Sequence, residues 1–326
     1  MHILLLNNGE DETLVSQLHD IVVSFNGMFT LHAYSEAAVP QDVLEQTEIV
    51  LCAALPATLR DRMPNLKLVQ FWSAGVDGKL YPELFTNPDG REVMISTGSG
   101  IHAASCSEHI LAMMLSFARG IHLSVDAQRA ATWSRREQAD KLFTLEGKTV
   151  GVVGAGQIGQ AIARRCQAFG MRTVGTRRDP EKPTPHFDYV LSHLQYHDLI
   201  LASDMIVLAL PLTPHTRWLF GEEEIEILRR PTYVFNIGRG GLWDERHVLQ
   251  GVNRGWIAGV GVDVFLEEPL PPDSPWWTAR NTIITPHTGG VNPDYWERFG
   301  ALVMRQLTAI AEGQPCTNLV DRDLGY

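Results

Sequence analysis

Cysteine is scarce in this 326-residue chain: Cys52, Cys106, Cys166 and Cys316 are scattered, with no C-x-x-C pair. That scatter excludes a disulfide-stapled scaffold and a cysteine zinc site, and it fits a reducing compartment. Positive charge is also in deficit. Lys and Arg number 27 against 38 Asp and Glu, a formal net charge of −11, which argues against nucleic acid or an anionic membrane surface as a partner. Any anionic ligand must therefore be met by locally placed arginines. No run approaches the roughly 18 apolar residues of a membrane span. The opening Met1-His2-Ile3-Leu4-Leu5-Leu6 lacks a basic flank and turns polar at Asn7, so it reads as a first strand and not as a signal peptide. A cytoplasmic protein is expected.

Core-forming residues are plentiful, at 44% hydrophobic with a mean hydropathy of −0.07, and the length favours two domains. Up to about residue 100, short apolar runs alternate with helical stretches. Strands are expected at Ile3–Leu6, Phe29–Tyr34, Ile49–Ala53, Leu66–Phe71 and Val93–Ser96, with helices at Glu12–Phe25 and Ala57–Met63. A long apolar helix follows from His102 to His122, ending near Gly120. From Thr149 the alternation restarts, with strands at Thr149–Val153, Met171–Gly175, Asp204–Leu208, Thr232–Ile237, Ile257–Val264 and Thr282–Thr285. Helices are expected at Glu223–Arg229 and at Asp244–Arg254, with Gly255 as the stop. Five or six strands with helical crossovers make a doubly wound parallel sheet. The last amphipathic helix, Asp294–Glu312, has no strand to feed there and is expected to return to the first domain. The expected division is 1–100 with 291–326, and 101–290.

The restart at Thr149 carries the sharpest motif. Gly154-Ala155-Gly156-Gln157-Ile158-Gly159 follows a β-branched run and opens a helix. A G-x-G-x-x-G turn in that setting lets a dinucleotide pyrophosphate rest on backbone N–H groups at the helix N-terminus. Ile158, Ile162, Cys166 and Phe169 then recur on one helical face, and Gly170 stops the helix. One strand later stand Thr176, Arg177 and Arg178, with Arg177 lying 21 residues after Gly156. Proteins that bind NAD usually carry an acid near that spacing for the ribose hydroxyls. An Arg at ~4 Å from a 2′-phosphate gains about 4 kcal/mol gross at an effective dielectric of ~20. Screening leaves about 1–2 kcal/mol of it, roughly tenfold per contact. NADP(H) is therefore expected over NAD(H).

Three further segments lie just past strands, where α/β sheets place their ligands: Arg239 in Asn236–Gly241, Glu268 in Asp263–Pro269, and His287 in Thr285–Gly290. A cation, a carboxylate and an imidazole suit the reduction of a 2-keto acid. The substrate carboxylate wants the planar, permanently charged fork of Arg, which can also polarise the carbonyl. The reacting oxygen gains negative charge as hydride reaches carbon, so a proton donor must stand beside it. Imidazole suits that duty, and a neighbouring carboxylate favours its protonated form. In the first domain, Ser73-Ala74-Gly75-Val76 follows a strand with small residues that let backbone N–H groups converge on an anion.

With these motifs in place, the chain resembles the D-isomer-specific 2-hydroxyacid dehydrogenases over essentially its whole length, and in particular their glyoxylate/hydroxypyruvate reductase-like branch. The resemblance rests on the glycine fingerprint after Leu145–Thr149, on Leu210-Pro211-Leu212-Thr213, on the Arg239 and Asp263…Glu268-Pro269 segments, and on Pro286-His287. It implies an α/β fold of two doubly wound parallel-sheet domains: a Rossmann cofactor domain and a flavodoxin-like, discontinuous substrate domain. Arg239 would then bind substrate, with His287 as acid/base catalyst assisted by Glu268 and Asp263 at the nicotinamide carboxamide. Leu210, Pro211, Thr216, Ile237, Gly238 and Gly289 would join the fingerprint residues at the cofactor, and Ser73–Val76 would meet the substrate carboxylate. Trp133 would reach into a partner subunit's site, implying a homodimer. Trp276 and Trp277 are expected to be packing residues. A dinucleotide-sensing corepressor-like protein and a phosphite- or formate-type dehydrogenase remain alternatives at this point.

Overall fold

The computed structural model describes residues 1–7 and 12–326, in two units: Met1–Ile101 with Asn292–Tyr326, and His102–Val291. In the first unit, β1 (His2–Leu6), β2 (Thr30–Tyr34), β3 (Thr47–Cys52), β4 (Leu68–Phe71) and β5 (Met94–Ser96) form a parallel sheet in the order β2-β1-β3-β4-β5. Helices α1 (Glu12–Val23), α2 (Gln41–Gln46) and α3 (Ala57–Arg60) connect them. Strands covered on both faces are continuously apolar, and Ile3 to Leu6 are all buried. α1 turns Leu14, Leu18, Ile21 and Val22 inward, which is helical spacing.

Helix Tyr295–Ala311 brings Phe299, Leu302, Val303 and Leu307 into this same core. Its one buried polar residue, Gln306, is fully engaged. Nε2 donates to Gln70 Oε1 at 2.9 Å and to Ser96 Oγ at 2.8 Å, while Oε1 accepts from Thr317 N at 2.9 Å. That network ties the late chain segment to β4 and β5.

The second unit begins with α4 (Ala103–Ala118), α5 (Ile121–Arg129) and α6 (Arg135–Ala139). Gly120, at φ +62°, breaks the apolar stretch, and the axis turns by 69°. Among the described residues no single helix is long and apolar enough to cross a membrane; α4 instead buries Ile110, Met113, Met114 and Phe117 in this unit's core. Seven parallel strands follow: β6 (Thr149–Val153), β7 (Arg172–Arg177), β8 (Tyr189–Ser192), β9 (Met205–Leu208), β10 (Thr232–Asn236), β11 (Ile257–Val262) and β12 (Thr282–Ile284). Their order is β12-β11-β10-β9-β6-β7-β8. Helices α7 (Gln157–Ala168), α8 (Tyr196–Ala202), α9 (Glu222–Glu226) and α10 (Glu245–Arg254) cross between them. The order reverses between β6 and β9, the switch point beside which such sheets bind ligands.

Three expectations need correction. The sheet has seven strands, because the short run Tyr189-Val190-Leu191 forms an edge strand, β8, with no fully buried residue. Phe169 caps α7 and is 42% exposed, so the apolar face ends at Cys166. Trp276 is buried at 1%, whereas Trp277 is 53% exposed, with its indole N–H donating to Pro271 O at 2.8 Å.

Candidate active site

Each functional segment leaves the carboxyl end of a strand in the second unit. At β6 the three fingerprint glycines have different reasons to be glycine. Gly154 has φ +111°, and a Cβ there would sit 2.6 Å from Ala209 O. A Cβ on Gly159 would sit 2.1 Å from Gly154 O, where α7 lies hard against the turn. Gly156 has an ordinary φ of −80°, and a Cβ there would meet nothing within 4 Å. Neither strain nor internal packing demands glycine at 156. A ligand resting on the backbone does, so the cradle fits a dinucleotide pyrophosphate at the uncapped N-terminus of α7.

The adjacent strand end lies alongside. Ala155 N donates to Thr176 O at 2.8 Å, which sets the end of β7 beside the glycine turn. Thr176 is buried, Arg177 is half-buried and Arg178 is exposed. On the other flank, Leu210 and Pro211 follow β9. The Thr216 hydroxyl donates to Pro211 O at 2.7 Å and accepts from Thr213 N at 2.8 Å, so it staples this loop.

β10 ends in a turn built by Asn236, whose side chain accepts from Gly238 N at 3.1 Å and donates to Arg239 O at 2.9 Å. Gly240 sits so close to the loop after β11 that a Cβ would lie 2.1 Å from Phe265 C. That contact sets the Arg239 turn against the loop holding Glu268. Arg239 Nη1 donates to Gly238 O at 2.8 Å. Behind it, burial and then the charge of Asp263 push the Cys106 thiol up to about 12, with Arg239 opposing. Cys106 is therefore a neutral wall residue.

Glu268 and His287 form a direct pair. One carboxylate oxygen accepts from Phe265 N at 2.8 Å and the other meets His287 Nδ1 at 2.7 Å. An ionised carboxylate only accepts, so Nδ1 carries a proton and Nε2 is the outward nitrogen. His287 is a non-glycine residue at φ +54°, a conformation that needs support from its surroundings. Its N–H bonds Asp263 O at 2.9 Å. The Asp263 side chain is 2% exposed and accepts from Thr285 Oγ1 at 2.6 Å, Thr288 N at 2.9 Å and Gly289 N at 2.9 Å. A Cβ on Gly289 would lie 2.5 Å from Ile237 Cδ1, which closes the row from β10 to β12.

Two expected contributors lie elsewhere in the chain. Ser73–Val76 belongs to the first unit, where Ser73 Oγ donates to Gly75 O at 2.9 Å and accepts from Lys79 Nζ at 2.7 Å. Trp133 lies between α5 and α6, is 90% exposed, and borders a hollow of about 520 Å³ lined in part by Ser124, Gln128, Thr132 and Arg135. Sequence reasoning missed Asn236 and the Phe265 N–H. Only Asn236 left a trace, as an Asn two residues before a glycine at a strand end.

Comparison with known proteins identifies the family. Residues 111–289 match the family model described as D-isomer specific 2-hydroxyacid dehydrogenase, NAD binding domain. A glyoxylate reductase of Thermococcus litoralis is 30% identical over 271 residues, covering 82% of this chain and 80% of that protein. A glyoxylate reductase of Thermococcus kodakarensis is 28% identical, covering 89% of each. Among solved structures, a D-isomer specific 2-hydroxyacid dehydrogenase from Xanthobacter autotrophicus Py2, in complex with NADPH and MES, aligns with a TM-score of 0.81 at 26% identity, covering 100% of this chain and 99% of that one. The chain belongs to the D-isomer specific 2-hydroxyacid dehydrogenase family, oxidoreductases that use a nicotinamide dinucleotide.

Proposed function

We propose that this protein reduces small 2-keto acids, glyoxylate and hydroxypyruvate among them, to D-2-hydroxy acids with a preference for NADPH. The observation that carries this reading is the Glu268–His287 pair, with Nδ1 held at 2.7 Å and the imidazole side chain half exposed. The nicotinamide, when bound, supplies the hydride. Arg239 holds the substrate carboxylate and polarises the carbonyl. His287 Nε2 gives its proton to the carbonyl oxygen as that oxygen becomes a hydroxyl, and Glu268 keeps the ring oriented and steadies its charge. Asp263 holds the loop that carries His287. Gly154, Gly156, Gln157, Ile158 and Gly159 receive the pyrophosphate; Leu210, Pro211, Ile237, Gly238 and Gly289 line its path along the sheet edge.

The cofactor preference rests on Arg177 and Arg178 beside the glycine turn. Arg177 has no hydrogen bond or ion pair with another side chain among the described residues, and the NADPH complex of the Xanthobacter relative is in keeping with this. The α5–α6 segment with Trp133 is proposed as the arm that meets a second copy in a homodimer. Initial rates with NADPH and NADH against glyoxylate, hydroxypyruvate, pyruvate and bulkier keto acids test the reading. NADPH-preferring turnover of the small acids is expected. No turnover with any keto acid overturns the activity, and a uniform preference for NADH overturns the role given to the arginines.

A further inference from the structure

His109 is a residue that neither the resemblance nor the proposed chemistry uses. It lies on α4, with 20% of its side chain exposed, and its Nε2 stands 2.8 Å from Thr285 Oγ1 and 3.6 Å from Asp263 Oδ1. Thr285 Oγ1 in turn lies 2.6 Å from Asp263 Oδ1. A hydroxyl has one proton to give and lone pairs to receive with, whereas a carboxylate only receives. The Thr285 proton therefore points at Asp263, and the lone pair facing His109 is met by an Nε2–H. The bonds run one way: imidazole to hydroxyl to carboxylate.

We propose that His109 is a positioning residue for the reaction, setting the turn around His287 through the Thr285 hydroxyl and the Asp263 carboxylate. This rests on the reading of His287 as the acid/base group. The chain of bonds grips that turn on both sides. Thr285 lies two residues before His287, and Thr288 N and Gly289 N, just after it, both donate to Asp263. The Asp263 carbonyl takes the His287 N–H itself at 2.9 Å. His287 at φ +54° keeps that conformation only while its surroundings over-determine it. α4 is a long buried helix, the kind of rigid element from which a positioning contact is best made. If the anchor is removed, the carboxylate can rotate, the two loop N–H groups lose their fixed acceptor, and Nε2 is no longer held in one place.

The test uses the full-length protein with glyoxylate and NADPH, with rates expressed per NADPH-binding site. His109→Ala is expected to lower kcat about tenfold through misplacement of His287. KM for glyoxylate should stay within about twofold, since the proposed carboxylate holder, Arg239, does not bond His109. His109→Gln, whose amide can donate to Thr285, should recover most of the loss. Thr285→Val should be as slow as His109→Ala, and combining the two should cost little more, because both cut one chain of bonds. Should His109→Ala fail to fold, Thr285→Ser against Thr285→Val makes the same comparison from the other end. Wild-type kcat in His109→Ala, a Gln variant as slow as the Ala one, or fully multiplicative losses overturn the proposal. His287→Ala in the same assay separates the two levels: if it keeps turnover, the acid/base reading itself fails, whatever His109 does.

Discussion

The two units solve the same packing problem with buried polar residues put to different use. In the first unit, Gln306, Gln70 and Ser96 bond one another deep against the sheet. Their effect is to lock helix Tyr295–Ala311 onto β4 and β5. In the second unit, Asn236 and Asp263, buried at 0% and 2%, and the partly buried Thr285 sit at the exits of β10, β11 and β12. Their bonds shape the turns that carry Arg239 and His287. The first set ties a helix to a sheet, whereas the second shapes the turns that follow three strands.

That contrast can be broken at several points. The largest effect is expected at Arg239. Arg239→Ala should reduce kcat/KM for glyoxylate about a thousandfold while the melting temperature stays near that of the wild type, because the residue serves the site and not the core. Gly156→Val comes next. Its φ suits any residue and its surroundings are open, so folding should be unaffected while NADPH binds at least about tenfold more weakly, or about 1.4 kcal/mol. Dinucleotide titration followed by intrinsic fluorescence measures this.

Gln306→Leu tests the opposite side of the comparison. Leu removes the acceptor for Thr317 N and the donor to Gln70 and Ser96, which should cost about 1–3 kcal/mol in denaturant unfolding with kcat and KM unchanged. The smallest effect is expected at the N-cap of α10, Asp244, whose side chain accepts from Arg246 N and His247 N. Burial acts to raise its carboxyl, but the bonds from the His247 backbone and side chain outweigh it and hold the group below its ordinary value of 3.8. An acid depressed on folding contributes stability that is present above its unfolded value and lost as the pH falls through its folded one. Asp244→Ala should therefore cost about 1 kcal/mol at neutral pH, a difference that fades below pH ~4 in acid-unfolding curves.

Local chemistry explains what could be read from the chain. The β6–turn–α7 unit announces itself because a β-branched run, three glycines and an apolar helical stripe all fall within about twenty residues. α10 is equally plain, with Asp244 at its start and Gly255 in the left-handed stop at φ +78°. Glu268 and His287 could be paired because each lies at a strand end in a parallel sheet, and they stand 2.7 Å apart. β8 was hidden because its apolar run, Tyr189-Val190-Leu191, is only three residues long and, at the sheet edge, is nowhere fully buried. Gln306 and His109 were hidden because their partners are distant in sequence: 236 residues to Gln70 and 176 to Thr285. A single polar residue on an amphipathic helix carries no mark of whether it faces water or a buried acceptor.

The central claim is that His287, held by Glu268 and Asp263, moves the proton during keto-acid reduction. The most direct test measures kcat for glyoxylate and Kd for NADPH on one preparation of His287→Ala. A fall in kcat of about a thousandfold with Kd within twofold is the predicted result. Turnover at the wild-type rate in the folded, NADPH-binding variant would contradict the account.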